Sequence, residues 1–277
     1  MPVITMTREM GSLGVRVAQH VSERLKLKLV YHELVQNVAG AANVGTSAVV
    51  KYLEGKGGGF LGELFGQSRR LGLGTQQEIL ELAKQGNVLI RGWGANFALV
   101  GVPGVCRVRV CAPMEQRVQN MMKRMDSVDA SHWQGEIEES DKLHAASIAR
   151  IYGVENWLDP TNYDLVLDTS LQTVEECADE IVLHVSQDPL VDRTAMRNAT
   201  DDSLLAARVR YGLFNEGGVG GERICVTAVK GTLILEGIVT SEAVRKRIVD
   251  FVSKHKGVKD VHDRLHLMTT AVKHVNE

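Results

Sequence analysis

The sequence has no apolar run near the ~18 residues that a membrane-spanning helix needs. Its opening, MPVITMTREM, lacks the basic and apolar segments of a secretory leader, so a cytoplasmic location is expected. Cysteine is scarce: Cys106, Cys111, Cys177 and Cys225 lie far apart without a CxxC pair. They read as small hydrophobes in a reducing compartment and argue against zinc. There is no basic excess, with 32 Lys and Arg against 34 Asp and Glu, which argues against a general nucleic-acid binder. His20, His132, His144 and His184 show no HExxH spacing, and no GxSxG elbow occurs, so neither a histidine metal site nor a serine hydrolase is indicated. The remainder is an ordinary globular composition, 44% hydrophobic and 24% charged, and 277 residues suggest two cores.

The chain opens with a β-branched apolar segment, Pro2–Thr7, followed by a glycine turn and an amphipathic stretch over Val15–Leu25. Short apolar runs at Lys28–Tyr31, Val88–Arg91, Val105–Cys111 and Tyr163–Leu167 alternate with helical stretches at His32–Val38, Met114–Met125, Glu136–Tyr152 and Val174–Val185. That alternation predicts an α/β fold, a parallel sheet covered by helices on both faces, with ligands at the carboxyl ends of the strands. Residues Glu54–Gly74 hold eight of the 27 glycines and read as a loop or lid-like insertion, with Thr75 as N-cap of the next helix. The polar stretch Asp126–Gln134 reads as a second lid-like segment.

Residues 187–199 are polar and carry a proline, as expected of a linker after a first domain over 1–186. Beyond it, residues 200–270 read as a small α+β unit of order αββαβ. Asp202–Phe214 is its first helix, Lys230-Gly231 its hairpin turn, and Gly257 the stop of its second helix.

The first turn carries the chemistry. A strand running through glycines into a helix aims backbone N–H groups and the positive end of the helix dipole at one point, a ready phosphate site. Here the turn is Gly11-Ser12-Leu13-Gly14, followed by Val15 and Arg16, so the lysine and the hydroxyl of a full GxxxxGK[ST] loop are both missing.

Three motifs in order make residues 1–186 resemble the cytidylate kinase-like family, a branch of the P-loop kinases. They are Thr7-Arg8-Glu9-Met10-Gly11-Ser12-Leu13-Gly14, then Val88-Leu89-Ile90-Arg91-Gly92-Trp93-Gly94-Ala95-Asn96, then Asp141-Lys142 with Arg150-Ile151-Tyr152-Gly153 and Trp157 to Leu165. The resemblance implies a P-loop kinase-type sheet, ATP with Mg²⁺, and a nucleotide acceptor, cytidylate by default. It implies Gly11, Ser12, Gly14, Arg16 and Arg117 around the donor, and Arg91, Trp93 and Gly94 facing the acceptor. Arg16, Arg124 and Arg150 become the expected catalytic cations. Val15, Trp93 and His32 depart from the family pattern at groups that would touch phosphate or acceptor. The alternative expectation is therefore a weak or inactive kinase fold that senses a nucleotide.

Residues 200–270 resemble a BON domain, on Gly231-Thr232-Leu233-Ile234-Leu235-Glu236-Gly237, Val239 and Gly257-Val258-Lys259-Asp260-Val261. Such domains are associated with phospholipid or ligand binding, so the resemblance implies a lipid or protein partner. Arg245, Lys246, Arg247, Lys254 and Lys256 make its second helix basic, which suits anionic headgroups or a solvated face.

Overall fold

In the computed structural model the described residues are 2–53, 63–92, 94–187, 193–215 and 223–268. Contacts divide them into two units, residues 1–200 and 201–277.

The apolar, β-branched segments of the first unit form β1 (Val3–Arg8), β2 (Lys28–Val30), β3 (Val88–Arg91), β4 (Val105–Cys111) and β5 (Leu165–Asp168). All pair in parallel in the order β2-β3-β1-β4-β5. The helices connecting them are α1 (Gly14–Leu25), α2 (His32–Ala42), α3 (Thr46–Leu53), α4 (Glu63–Gln85), α5 (Ala95–Ala98), α6 (Met114–Met125) and α7 (Ala130–Tyr152). The helix α8 (Val174–Ser186) closes the unit. One face of β1, through Ile4 and Met6, packs with Val17, Ala18 and Val21 of α1 and Cys177, Ala178 and Ile181 of α8. On the alternate positions, the Thr7 hydroxyl bonds Asn96 of α5. Strand β1 is central, with β3 and β4 on either side, so its carboxyl end is where the strand order reverses and ligands bind in such sheets.

Three expectations need correction. The glycine-rich stretch is not a loop throughout: α4 begins at Glu63 and runs through Gly66, Gly72 and Gly74, while residues 54–62 lie outside the described set. Glycine costs about 1 kcal/mol each in a helix interior. Burial of Leu71, Thr75, Ile79, Leu80, Leu82 and Ala83 along one stripe, against α2 and β3, outweighs that cost. Thr75 is accordingly mid-helix and not an N-cap, its hydroxyl donating to the carbonyl of Leu71. The expected second lid shrinks to a turn, because α7 starts at Ala130, where the Asp129 carboxylate accepts from the amide of His132.

The second unit follows the expected order. Helix α9 (Arg193–Asn215) precedes β6 (Arg223–Val229), β7 (Thr232–Val239), α10 (Glu242–Ser253) and β8 (Asp260–Leu267). Strand β7 is antiparallel to β6 and parallel to β8. The expected linker 187–199 is helical from Arg193 onward, and residues 188–192 lie outside the described set. Leu205, Val209 and Leu213 of α9, Leu233 and Leu235 of β7, and Ile248 and Val252 of α10 share one core. In the hairpin, the Asp202 carboxylate accepts from the amides of Lys230 and Gly231 at 2.7 and 3.0 Å.

Because every member of that core lies beyond residue 200, a fragment of residues 193–277 should fold alone. Thermal unfolding of the isolated fragment is expected to be a single cooperative transition. A fragment with no transition would show that its core depends on the first unit.

Candidate functional site

The loop between β1 and α1 is held from beneath by side chains. Gly11, at φ +83°, and Leu13, at φ 59°, give it a path that few side chains tolerate. A Cβ on Gly11 would fall 2.6 Å from the carbonyl oxygen of Arg117, and one on Gly14 would fall 2.8 Å from Cβ of Arg8. The carbonyls of the loop all find donors. Arg117 Nε reaches Met10 at 2.7 Å, Asn120 reaches Gly11 at 2.8 Å, and Thr169 reaches Ser12 at 2.9 Å. The buried Ser12 hydroxyl donates to the carbonyl of Glu9. With its carbonyls engaged on the protein side, the loop enters α1, whose opening amides at Gly14 and Val15 have no carbonyl one turn earlier within the helix.

Four charged side chains form the support. The Glu9 carboxylate, 7% exposed, accepts from Arg109 Nη2 at 2.8 Å and Nε at 3.2 Å, and lies 3.5 Å from Arg117 Nη1. Arg117, 4% exposed, also grips both oxygens of Asp141 of α7 at 2.7 and 2.8 Å. Arg109 spends a further donor on the carbonyl of Leu158.

Above this support lies a cavity of about 300 Å³. Strand ends and α7 form its walls, with Arg8, Tyr31, Arg91, Gly92, Arg124, Glu136, Glu139 and His144 among the lining residues. Arg91 lies over the Tyr31 ring at 4.3 Å, and its buried Nε has no partner. Among the described residues, no carboxylate pairs with Arg8, Arg91 or Arg124. Burial holds the Arg8 guanidinium below its ordinary pKa, and Arg91 and Arg124 lower it further against the opposing influence of Tyr31. Arg91 is likewise lowered by burial. Like charges converging without counter-ions are an electrostatic cost that a bound anion offsets.

The structure thus brings Arg91 and Arg124 together at the cavity and Gly11, Ser12, Gly14 and Arg117 together at the loop, and it sets Arg16, Arg150 and Gly94 apart from the cavity. Arg117 is committed to the loop, Glu9 and Asp141, and lies outside the cavity lining. Arg16 is exposed on the first turn of α1, and Arg150 is exposed in the last turn of α7; neither lines the cavity. Gly94 packs under α7, where a Cβ would fall 2.4 Å from the Tyr152 ring, and Gly92 lines the cavity in its place. Trp93 lies outside the described residues. Arg8, Tyr31 and His144 are the additions. Arg8 stood inside the Thr-Arg-Glu motif without a role, and nothing in the spacing of His144 or Tyr31 marks them.

A family model described as the cytidylate kinase-like family matches residues 3–171, from β1 through β5. The chain belongs to the cytidylate kinase-like family. A BON domain model matches residues 201–269, the second unit of this cytidylate kinase-like chain. Among solved structures, an uncharacterized protein from Eubacterium ventriosum ATCC 27560 is 17% identical, with a TM-score of 0.52, covering 68% of this chain and 99% of that one. That likeness shows a shared fold. Shikimate kinases from Acinetobacter baumannii, in complex with shikimate, and from Bacteroides thetaiotaomicron are 12% and 13% identical. Their TM-scores are 0.40 and 0.42, and they cover 69% and 67% of this chain and 96% and 98% of their own. A search of curated proteins gave no match. No helix among the described residues is long and apolar enough to cross a membrane.

His144 supplies a pH test of this cytidylate kinase-like site. It stacks edge-on against Trp157 at 4.5 Å, and its buried Nε2 has no partner. Burial lowers its pKa to about 4, with Asp141 opposing and Arg8 assisting. The unfolded chain therefore takes up a proton below about pH 6.5 that the fold refuses, so stability falls as pH drops from about 6.5 toward about 4. In His144→Leu this component of the acid loss should vanish. Denaturant midpoints at pH 7 and pH 5 check it, and equal losses in both proteins would refute it.

Proposed function

We propose that the chain is an ATP-dependent phosphotransferase acting on a small nucleotide-like acceptor, with cytidylate as the first candidate. The observation that carries this reading is the cavity beside the glycine loop, with three arginines that no carboxylate of the described chain neutralises. Phosphoryl transfer needs little covalent help from a protein beyond positioning and cations around the equatorial oxygens. In this reading Gly11, Ser12 and Gly14, with the first amides of α1, cradle the donor phosphates, and Arg16 flanks them from the helix surface. Arg91 and Arg124 hold the acceptor's phosphate. An acceptor oxygen forms the new bond to the γ-phosphorus while the bond to the β,γ-bridging oxygen breaks, and ADP leaves with that electron pair. Arg117 acts through the loop it holds.

Mg²⁺ is implied by the family and would lower the charge of the nucleotide phosphates when bound. The carboxylates flanking β5 do not fit a protein-held ion. Asp164 is taken by Arg107 in a two-pronged pair, and Asp168 caps its turn through Ser170. Among the described residues no group of three His, Cys, Asp or Glu side chains is placed to hold a metal. The ion would arrive on the nucleotide.

The second reading is a nucleotide sensor, favoured by Val15 where the family carries a cation. In both readings the protein works in the cytoplasm, where ATP is abundant, and its BON domain meets a lipid or protein partner.

A coupled assay with ATP-Mg²⁺ and each common nucleoside monophosphate tests the choice. As a kinase, the protein turns over at least one of them, and Arg91→Ala and Arg124→Ala each lower kcat/KM about ten- to a hundredfold, the loss of a charge-assisted contact. ATP binding without turnover of any acceptor supports the sensor.

A further inference from the structure

A full GxxxxGK[ST] phosphate loop carries a lysine where this chain has Val15, and the neighbouring Arg16 is exposed and outside the cavity lining. A transferred phosphoryl group nevertheless needs a cation at the loop, because negative charge shifts toward the bridging oxygen as the bond breaks. Five arginines lie near the loop and the cavity, of which Arg124 is exposed in the last turn of α6, two turns beyond the Arg117 that meets the loop. Arg109 is spent on Glu9 and Leu158, and Arg117 on Met10, Glu9 and Asp141. Arg91 stands over Tyr31 at the end of β3, one strand away. Arg8 remains.

Arg8 ends the central strand immediately before the loop, and its Cβ is close enough to α1 to exclude any side chain at Gly14. It therefore stands at the junction of the two phosphate positions, touching the loop's helix at its base and lining the cavity with Arg91 and Arg124. Glu9 and Asp141 are acids near it, and Glu9 is engaged by Arg109 and Arg117 and Asp141 by Arg117. The adjoining acidic residues of α7, Glu136 and Glu139, line the cavity without pairing with it. We propose that Arg8 is the catalytic cation that meets the transferred phosphoryl group in place of the loop's missing basic residue. The inference rests on the phosphotransferase reading and gives its charge a source that the sequence motif does not. An arginine here suits the task, since its planar fork can bridge two oxygens on one phosphate or on neighbouring phosphates.

The test uses the full chain as wild type, Arg8→Gln and Arg8→Lys. Each is titrated with ADP-Mg²⁺ and cytidylate, with and without aluminium fluoride, which imitates a phosphoryl group between donor and acceptor. Wild type should bind ADP at least about tenfold more tightly when aluminium fluoride is present, as expected of a transition-state mimic. Arg8→Gln should bind ADP alone within about twofold of wild type and lose that increment, and Arg8→Lys should fall between. Removing a recessed cation that faces Arg91 should leave the melting temperature of Arg8→Gln unchanged or higher, so the variant is expected to fold. Should it not fold, the shortfall in Arg8→Lys carries the test. A full wild-type increment in both variants overturns the role of Arg8 and leaves the phosphotransferase reading standing. Failure of wild type to bind ADP under any condition removes that reading and the proposal together.

Discussion

The site depends on one buried guanidinium. Arg117 of α6 joins two pieces of chain that are distant in sequence: the turn after β1, through the carbonyl of Met10 and the carboxylate of Glu9, and α7, through both oxygens of Asp141. A charge this enclosed is tolerated only when its donors are met, and removing one partner of such a pair typically costs about 3–5 kcal/mol. The geometry of loop, strand end and cavity wall is thereby fixed together. Arg117 and Arg109 engage Glu9 and Asp141, Glu136 and Glu139 line the cavity without pairing, and among the described residues no carboxylate pairs with the arginines above. A supporting layer with paired charges and an upper layer with unpaired ones is what separates scaffold from site.

Much of the architecture was legible in the sequence because it rests on local signals. Val, Ile and Leu runs gave the five strands, and the glycines of the first turn gave the loop. Lys230-Gly231 and Gly257 gave the frame of the second unit. Legibility ended where distant contacts decide. The stripe of Leu71, Thr75 and Ile79 overrides three glycines in α4, and only the packing partner α2 explains why. Arg117 and Arg124 lie seven residues apart on one face of α6, and spacing alone treats them alike. They are two turns apart along the axis, however, and only Arg117 faces Glu9 and Asp141. Arg8 was hidden for the opposite reason. It sat within a recognised motif, but the role proposed for it follows from which nearby acids are already paired, and no one-dimensional pattern records that.

The second unit has its own core and its own sheet, and residues 201–269 match the BON model. Its basic helix is partly neutralised, with Arg245 donating to Asp263 at 2.8 Å and lying 3.5 Å from Glu242, while Lys246 and Arg247 are exposed. The chain thus joins a cytidylate kinase-like unit to a BON unit.

The central claim is that the unpaired arginines await a phosphate, and thermal unfolding measures this without assuming catalysis. Full-length protein should be melted with cytidine and with cytidylate at matched ionic strength. A ligand that binds only the folded state at a hundredfold excess over its Kd adds roughly 2.7 kcal/mol, a shift of several degrees. The account predicts that shift with the monophosphate and little with the nucleoside. Equal shifts with both, or none with either, would contradict it.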